Sequence, residues 1–178
     1  MNADGSGGTA LICYDGSESA GAAIAAAVPL VARFDCVVVC FWQPFADVAR
    51  RFARSLLEIV QDADTVNEKE RLLAEQTAAE GAELAVRLGL RVQSRAVQVD
   101  EPIDDAILNY ADELEAVVIV LGARGGSGIR SLLLGDVAND VLQRATRPVL
   151  VVPSAGLAAR RGEERATTEP ADVELTEP

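Results

Sequence analysis

Apolar residues along the chain form five short runs separated by helical patterns. Between the runs, apolar residues recur at spacings of three and four, which predicts amphipathic helices. Strands that alternate with helices predict an α/β fold with a parallel sheet and right-handed crossover connections. The five runs cover residues 9–14, 36–42, 90–99, 116–121 and 148–153.

Four helices are predicted between these runs. Pro29 is expected to kink the first helix near its end, and Gly89 is expected to cap the second, which runs from about Val66 to Leu88. The third opens at Pro102, and the fourth follows a glycine-rich segment. The apolar positions expected to face the core are Ala20, Ala23, Ile24, Ala27 and Val31 in the first helix, Leu73, Leu84 and Leu88 in the second, Ile103, Ala106, Ile107, Tyr110 and Leu114 in the third, and Val137, Ala138, Val141, Leu142 and Ala145 in the fourth.

The composition of the runs also predicts their places in the sheet. Residues 36–42, 116–121 and 149–152 are almost continuously apolar, as expected of strands that are covered on both faces. The third run instead alternates polar with apolar residues, which predicts a partly exposed edge strand. Its polar positions are Arg91, Gln93, Arg95 and Gln98.

The termini and one internal segment fall outside this repeating pattern. Residues 1–7 are predicted to be a flexible N-terminus and residues 8–155 a single domain. Residues 156–178 are predicted to be a disordered acidic tail, because they contain few large apolar side chains. Residues 43–65 form an insert with a helical apolar stripe. A surface helix and a lid over a ligand cleft are both open interpretations of this insert.

Charge and composition limit the partners of the protein. With 28 acidic and 16 basic side chains the net charge is −12, which would repel nucleic-acid phosphates and anionic lipid. The chain has no run of 18 or more apolar residues and no signal-like N-terminus. We therefore expect a cytoplasmic protein without nucleic-acid or membrane partners. The three cysteines are expected to be small buried hydrophobes, since the chain has no histidine and no CxxC motif.

The segment of residues 121–145 carries the strongest chemical signal. Ligands of open parallel sheets bind beyond the carboxyl ends of the strands, and this segment leaves the fourth strand at such an end. Its glycines let backbone N–H groups approach a ligand, and the following helix offers its N-terminal amides to an anion. The segment is therefore a candidate phosphate cradle, although glycines would equally permit a tight, mobile connection. The glycines of its first half are Gly122, Gly125, Gly126 and Gly128.

The spacing of these glycines makes the signal specific. Gly122-x-x-Gly125, followed after nine residues by Gly135, resembles the nucleotide-binding signature of the universal stress protein family. "YDGSESA" after the first strand and "VLQRATRPVLVVP" at residues 141–153 are similar to the pattern of the same family. The resemblance covers roughly residues 8–153.

The resemblance implies an open five-stranded parallel sheet in the order 3-2-1-4-5, with helices on both faces. It also implies that Asp15 contacts a nucleoside and that backbone at or near Phe41 holds the base. The glycine loop and the start of the next helix would hold ribose and phosphates. The implied nucleotide-binding residues are Tyr14, Asp15, Gly16, Phe41, Gly122, Arg124, Gly125, Gly135, Asp136 and Val137.

One residue departs from the family pattern. A serine or threonine usually follows the last glycine, whereas this chain has Asp136. Its carboxylate can cap the helix itself, and at about 4 Å it would repel a phosphate by roughly 1 kcal/mol in water and about 4 kcal/mol at a surface-like dielectric. Arg124, Arg130 or a divalent cation such as Mg²⁺ would offset that repulsion.

Other acidic residues near strand ends have local alternatives to a functional role. Asp15 can form an Asx turn or cap the first helix. Three aspartates at the start of the third helix invite a metal or general-base interpretation. We expect them instead to be surface charge that complements the helix dipole. They are Asp100, Asp104 and Asp105.

Two hypotheses of function lead. The first is a universal stress protein-like regulatory module that binds ATP or another adenine nucleotide, with Mg²⁺ as a candidate companion ion. The alternative is a dimeric stress-response interaction protein that binds no nucleotide. Enzyme activity beyond slow ATP hydrolysis is not expected, because related adenylating enzymes need a Ser/Gly-rich loop that "YDGSESA" matches poorly.

The last strand predicts a homodimer. In the implied order it lies at a sheet edge, yet its residues are wholly apolar and carry no protective charge. Two-fold pairing through this strand would close the assembly, and the family resemblance implies the same contact. The residues expected at the interface are Val149, Leu150, Val151 and Val152.

Overall fold

The computed structural model describes residues 7–44, 63–123 and 136–153, together with 156, 158 and 159. The strands are β1 (Thr9–Cys13), β2 (Asp35–Trp42), β3 (Val92–Gln98), β4 (Ala116–Gly122) and β5 (Val149–Val152). The helices are α1 (Glu18–Val31), α2 (Ala63–Arg87), α3 (Ile103–Glu113) and α4 (Asp136–Arg144). Among the residues described, no helix is both long enough and apolar enough to cross a bilayer.

The five strands form one parallel sheet in the order β3-β2-β1-β4-β5. This confirms the predicted α/β class and the strand order that the family resemblance implies. The predicted edge strand, β3, lies at an edge and exposes Gln93, Arg95 and Gln98. The residues of β5 are only half-buried, not covered on both faces as expected, because an edge strand has a neighbour on one side.

Side chains of the sheet alternate between two apolar cores. On β1, Ala10 and Ile12 belong to one core and Leu11 to the other, as the two-residue repeat of a strand requires. Residues of α1 and α2 complete the first core, and residues of α3 and α4 complete the second. Each fully buried Leu or Ile contributes about 1.5–3 kcal/mol to the free energy of folding. The apolar side chains on both faces of the central strands therefore hold both helix layers to the sheet.

The ends of α1 and α2 follow from local sequence. The Ser17 hydroxyl accepts a hydrogen bond from the Ala20 N–H at 3.2 Å and caps α1. After α2, Gly89 has a φ of +90°, a conformation that glycine adopts without strain. The Leu90 N–H donates to the Ala85 carbonyl at 3.0 Å, which closes the helix end. This confirms the predicted glycine cap. Pro29 lies inside α1, close to its end.

The predicted inward face of α2 is wrong in part. Leu73 is 57% exposed and Leu88 is 38% exposed, whereas Ala74, Ala78 and Ala85 are buried. The sheet-facing side of α2 is built from small residues, so the helix backbone can lie close to the strands. Each leucine is offset from that side by a rotation around the helix, and it therefore points away from the core.

The predicted face of α4 is also too wide. Ala138 and Val141 are buried as expected, but Val137 is 39% exposed and Leu142 is 48% exposed. The two exposed residues flank the buried pair along the helix, so only the centre of the predicted stripe faces the sheet.

Arg147 connects the end of α3 to the start of β4. Its guanidinium donates to the Ala111 carbonyl at 2.8 Å and to the Ala116 carbonyl at 2.7 Å, and it pairs with Asp112. These bonds satisfy carbonyls at a helix end and a strand start. No periodic pattern in the sequence predicts this role.

We expect Glu115→Gly to raise the free energy of unfolding by about 0.5–1 kcal/mol. Glu115 is exposed and has a φ of +49°, a left-handed conformation that disfavours any residue with a Cβ. Urea denaturation would measure the change. The control is Glu113→Gly, at the exposed last residue of α3, which should lower stability by less than the about 1 kcal/mol of a helix interior. Equal losses in both variants would contradict the prediction.

Candidate nucleotide site

The predicted site residues lie along the carboxyl edge of the sheet. Tyr14, Asp15 and Gly16 directly follow β1, and Gly122 is the last residue of β4. Phe41 lies next to the end of β2. Asp136 and Val137 open α4, and both are exposed. The remaining predicted residues, Arg124, Gly125 and Gly135, are not among those that the structure describes.

The loop after β1 is held by its own hydrogen bonds. The Ser17 N–H donates to Asp15 Oδ1 at 3.0 Å, and Gly16 between them has a φ of +79°. This is the Asx turn that the sequence offered as the local alternative for Asp15, and Ser17 takes the capping role. Asp15 is exposed at the carboxyl end of the central strand. Its turn therefore fixes a carboxylate at the edge where ligands of such sheets bind.

Gly122 brings β4 against the first turn of α1. A Cβ at this position would lie 2.7 Å from the backbone of Ser19 and Ala20 and 2.7 Å from the Ser19 hydroxyl. No side chain fits at such distances, so glycine is required by the contact itself. The loops that leave β1 and β4 consequently begin next to each other.

The end of β2 extends past the end of β1. The Tyr14 N–H donates to the Val39 carbonyl at 2.8 Å, whereas the last pair in the register of these strands is Cys13 with Val39. Backbone groups along a strand alternate in direction, so those of Phe41 face the same side as those of Val39. They point beyond the last register pair of β1. The Phe41 ring lies edge-on to the Tyr110 ring at 5.8 Å, on the side of α3.

Residues of α2 line the other side of the β1 loop, and the sequence patterns did not identify them. The Tyr14 ring packs against Gly81, and Gly16 lies near Thr77. Burial raises the pKa of the Tyr14 phenol, and the nearby charges of Glu80 and Asp15 add to this effect. A glycine inside a long helix was the one available signal of this contact.

The aspartates at the start of α3 form ion pairs. Arg144 of α4 donates to Asp104 Oδ2 at 2.8 Å and also pairs with Asp105. These two carboxylates therefore join α3 to α4, in addition to lying in the first turn of α3, where negative charge complements the helix dipole. In the described ranges, no cluster of three or more potential metal-ligating side chains occurs.

The three cysteines carry protonated thiols. Burial raises the pKa of Cys36 and of Cys40 to about 11, with the charge of Asp35 adding in the first case and that of Asp15 in the second. Burial also raises the pKa of Cys13, followed by the charge of Asp15. Cys36 is fully buried, while Cys13 and Cys40 are partly buried. They pack as small apolar side chains, as expected, although only Cys36 is fully buried.

A comparison with protein-family models identifies the family of the chain. The universal stress protein family model matches residues 8–153, which include every element of the sheet. The chain belongs to the universal stress protein family. Universal stress protein YxiE of Bacillus subtilis is 39% identical over 61 residues, which make up 34% of this chain and 41% of YxiE. The match therefore spans less than half the length of that relative.

Three solved structures share the fold. The hypothetical protein MJ0577 is 20% identical with a TM-score of 0.61, and the match covers 82% of this chain and 95% of that one. A universal stress protein in complex with cAMP is 22% identical with a TM-score of 0.55, covering 83% and 98% of the two chains. A universal stress protein from Archaeoglobus fulgidus in complex with dAMP is 20% identical with a TM-score of 0.54, covering 82% and 96%.

We expect Gly122→Ala to lower the free energy of unfolding by about 2 kcal/mol or more, because the new methyl group would collide with backbone that cannot move aside easily. Thermal and urea denaturation would measure this loss. The matched control is Gly7→Ala, whose Cβ would lie 3.5 Å from Phe34 ring atoms, an ordinary contact. The control should stay within about 0.5 kcal/mol of the wild type. If the two variants are equally stable, the close contact at Gly122 is not required.

Proposed function

We propose that this universal stress protein is a regulatory module that binds an adenine nucleotide where β1 lies between β2 and β4. The observation that carries the proposal is the position of Asp15 and Gly122. The helices α1 and α2 cover one face of the sheet, and α3 and α4 cover the other. In such a doubly wound sheet the ligand crevice lies at the carboxyl end of the central strand, here β1. Both residues lie at that end. The cAMP and dAMP complexes of two structural neighbours support an adenine ligand.

Within this proposal the site has three parts. Asp15, held by its Asx turn, contacts the nucleoside, and the backbone groups of Phe41 that point beyond the end of β1 receive the base. The segment from Gly122 to the start of α4 receives ribose and phosphates. That segment includes the predicted residues Arg124, Gly125, Gly135, Asp136 and Val137.

ATP is the proposed nucleotide, and Asp136 is the residue that fits it least. The Asp136 carboxylate is exposed in the first turn of α4, where a phosphate would otherwise meet N-terminal amides. A cation between the carboxylate and the phosphates, such as Mg²⁺ or a guanidinium, would remove the repulsion. The same carboxylate is the observation that favours the alternative function, an interaction protein without nucleotide.

We further propose that the protein is a cytoplasmic homodimer joined through β5. The Pro148 carbonyl accepts a hydrogen bond from Ile119 of β4, and the Val152 carbonyl accepts one from Ala123, directly after β4. The backbone groups of Val149 and Val151 therefore point outward from the sheet. An apolar edge strand with outward backbone groups can pair with a second copy of itself.

We expect Asp136→Ser to increase the affinity for ATP by about fivefold to several-hundred-fold, which corresponds to a removed repulsion of roughly 1–4 kcal/mol. The gain should be larger for ATP than for adenosine, and it should shrink when Mg²⁺ is present. Titration calorimetry with both ligands would measure it.

The control for this variant is Asp140→Ser, an equal change of charge at an exposed position one turn further along α4. It should change the ATP affinity much less. Equal ATP affinity in Asp136→Ser and the wild type would show that the carboxylate points away from the phosphates. Absence of binding in both would favour the nucleotide-free dimer.

We expect Val151→Pro to convert the dimer to monomers. Proline removes an N–H that points outward, so the hydrogen bonds between β4 and β5 remain. Light scattering at micromolar concentration would report the mass. The control is Val151→Ala, which shortens the side chain but keeps the N–H and should remain dimeric. A monomeric wild type would refute the proposed assembly.

A further inference from the structure

Gly81 lies in the C-terminal third of α2, at a buried position where glycine destabilises a helix relative to alanine. Its surroundings explain why alanine would not fit. A Cβ at this position would lie 2.6 Å from Cδ1 and 2.7 Å from Cγ of the Tyr14 ring, and 3.0 Å from Cγ1 of Val38. Only a residue without a side chain lets the tyrosine ring lie against this part of the helix.

The backbone of Tyr14 is held against β2. Its N–H donates to the Val39 carbonyl at 2.8 Å and continues the ladder between β1 and β2. Val38, beside the ring, is fully buried. An added methyl group at Gly81 must therefore displace the Tyr14 ring, the helix or the start of the loop that follows β1.

A second contact lies one helical turn earlier. A Cβ on Gly16 would be 3.7 Å from Cγ2 of Thr77, which is an ordinary contact distance. Thr77 and Gly81 are four residues apart and lie on the same side of α2. The helix therefore borders the loop on both sides of Asp15, the residue between Tyr14 and Gly16.

We propose that Gly81 is a positioning residue: it seats Tyr14 against α2 and thereby fixes the turn that presents Asp15 to the nucleoside. The effect is indirect, since Gly81 acts through the tyrosine ring. The proposal rests on the nucleotide-binding function proposed above. It assigns to α2 the role of positioning Asp15, which is separate from the phosphate-binding role of the glycine loop.

The first test is Gly81→Ala in the full chain, with adenosine and AMP as probes in titration calorimetry. We expect both affinities to fall by about tenfold or more, because displacement of a binding group by about 1 Å has large effects. The two losses should be equal, since Asp15 would contact the nucleoside that both probes share. The control is Gly21→Ala in α1, whose Cβ would lie 3.8 Å from Cδ2 of Leu84. It should keep both affinities within about twofold. Unchanged affinities in Gly81→Ala would overturn the proposal.

A double-mutant cycle tests whether the effect passes through the ring. In a Tyr14→Ala background the collision is gone, so adding Gly81→Ala should change the affinities by less than about twofold. This double variant also covers the case in which Gly81→Ala alone fails to fold. An affinity loss from Gly81→Ala that is as large in the Tyr14→Ala background as in the wild type would show that the effect does not pass through the ring, and would overturn the proposal.

A readout without nucleotide separates this proposal from the proposed function. The chain has two tyrosines, so a Tyr110→Phe background leaves Tyr14 as the only phenol. Burial and the charges of Glu80 and Asp15 raise its pKa, and absorbance titration should show that Gly81→Ala lowers it toward the ordinary value as the ring becomes exposed. If the wild type binds neither probe and does not bind ATP, the nucleotide function fails. The titration still tests whether Gly81 seats the Tyr14 ring against α2. An unchanged pKa of Tyr14 in Gly81→Ala would refute that contact.

Discussion

The candidate site depends on a close contact between the backbone of β4 and that of α1, with no side chain between them. At the end of β4, a Cβ on Gly122 would lie 2.7 Å from the backbone of Ser19 and Ala20. Close packing of this kind leaves no tolerance for an extra carbon atom. It sets the distance between the central strand, the first helix and β4, and so it sets where the loops of the carboxyl edge begin.

The same constraint acts on the other face of the loop after β1. There α2 presents Gly81 to the Tyr14 ring, and Ala74, Ala78 and Ala85 to the strands beneath. The core contains few aromatic residues, with 4% in the whole chain, so it is filled by small and branched aliphatic side chains that bring helices near the sheet. The loop of Asp15 thus leads into α1 on one side and is approached on the other by α2, through Gly81.

Periodicity was sufficient to predict most of the fold. The alternation of apolar runs with helical patterns gave all five strands within a few residues of their ends, and the polar residues of β3 marked it as an edge. It was insufficient where two apolar residues compete for one face. On α2 the leucines were the stronger hydrophobic signal, yet the alanines face the core. The short distance between helix and sheet leaves room only for small side chains, and that distance cannot be read from a single sequence.

The candidate site was predicted unevenly for a related reason. Asp15, Gly122 and the helix start at Asp136 are close to strand ends in the sequence, so a topological rule could place them. Gly81 and Arg147 act on residues that are 67 and 31 or more positions away along the chain, and no local pattern reveals such partners. Gly122 also shows that a glycine in a ligand signature can be required by packing alone.

The protonated thiols have a consequence for how this chain can respond to oxidants. Peroxides react with thiolates, and a pKa of about 11 leaves roughly one thiol in ten thousand ionised at neutral pH. Formation of a sulfenic acid at Cys36 or Cys40 is correspondingly slow. Within the described residues, burial of these two side chains therefore makes them poor targets for peroxide.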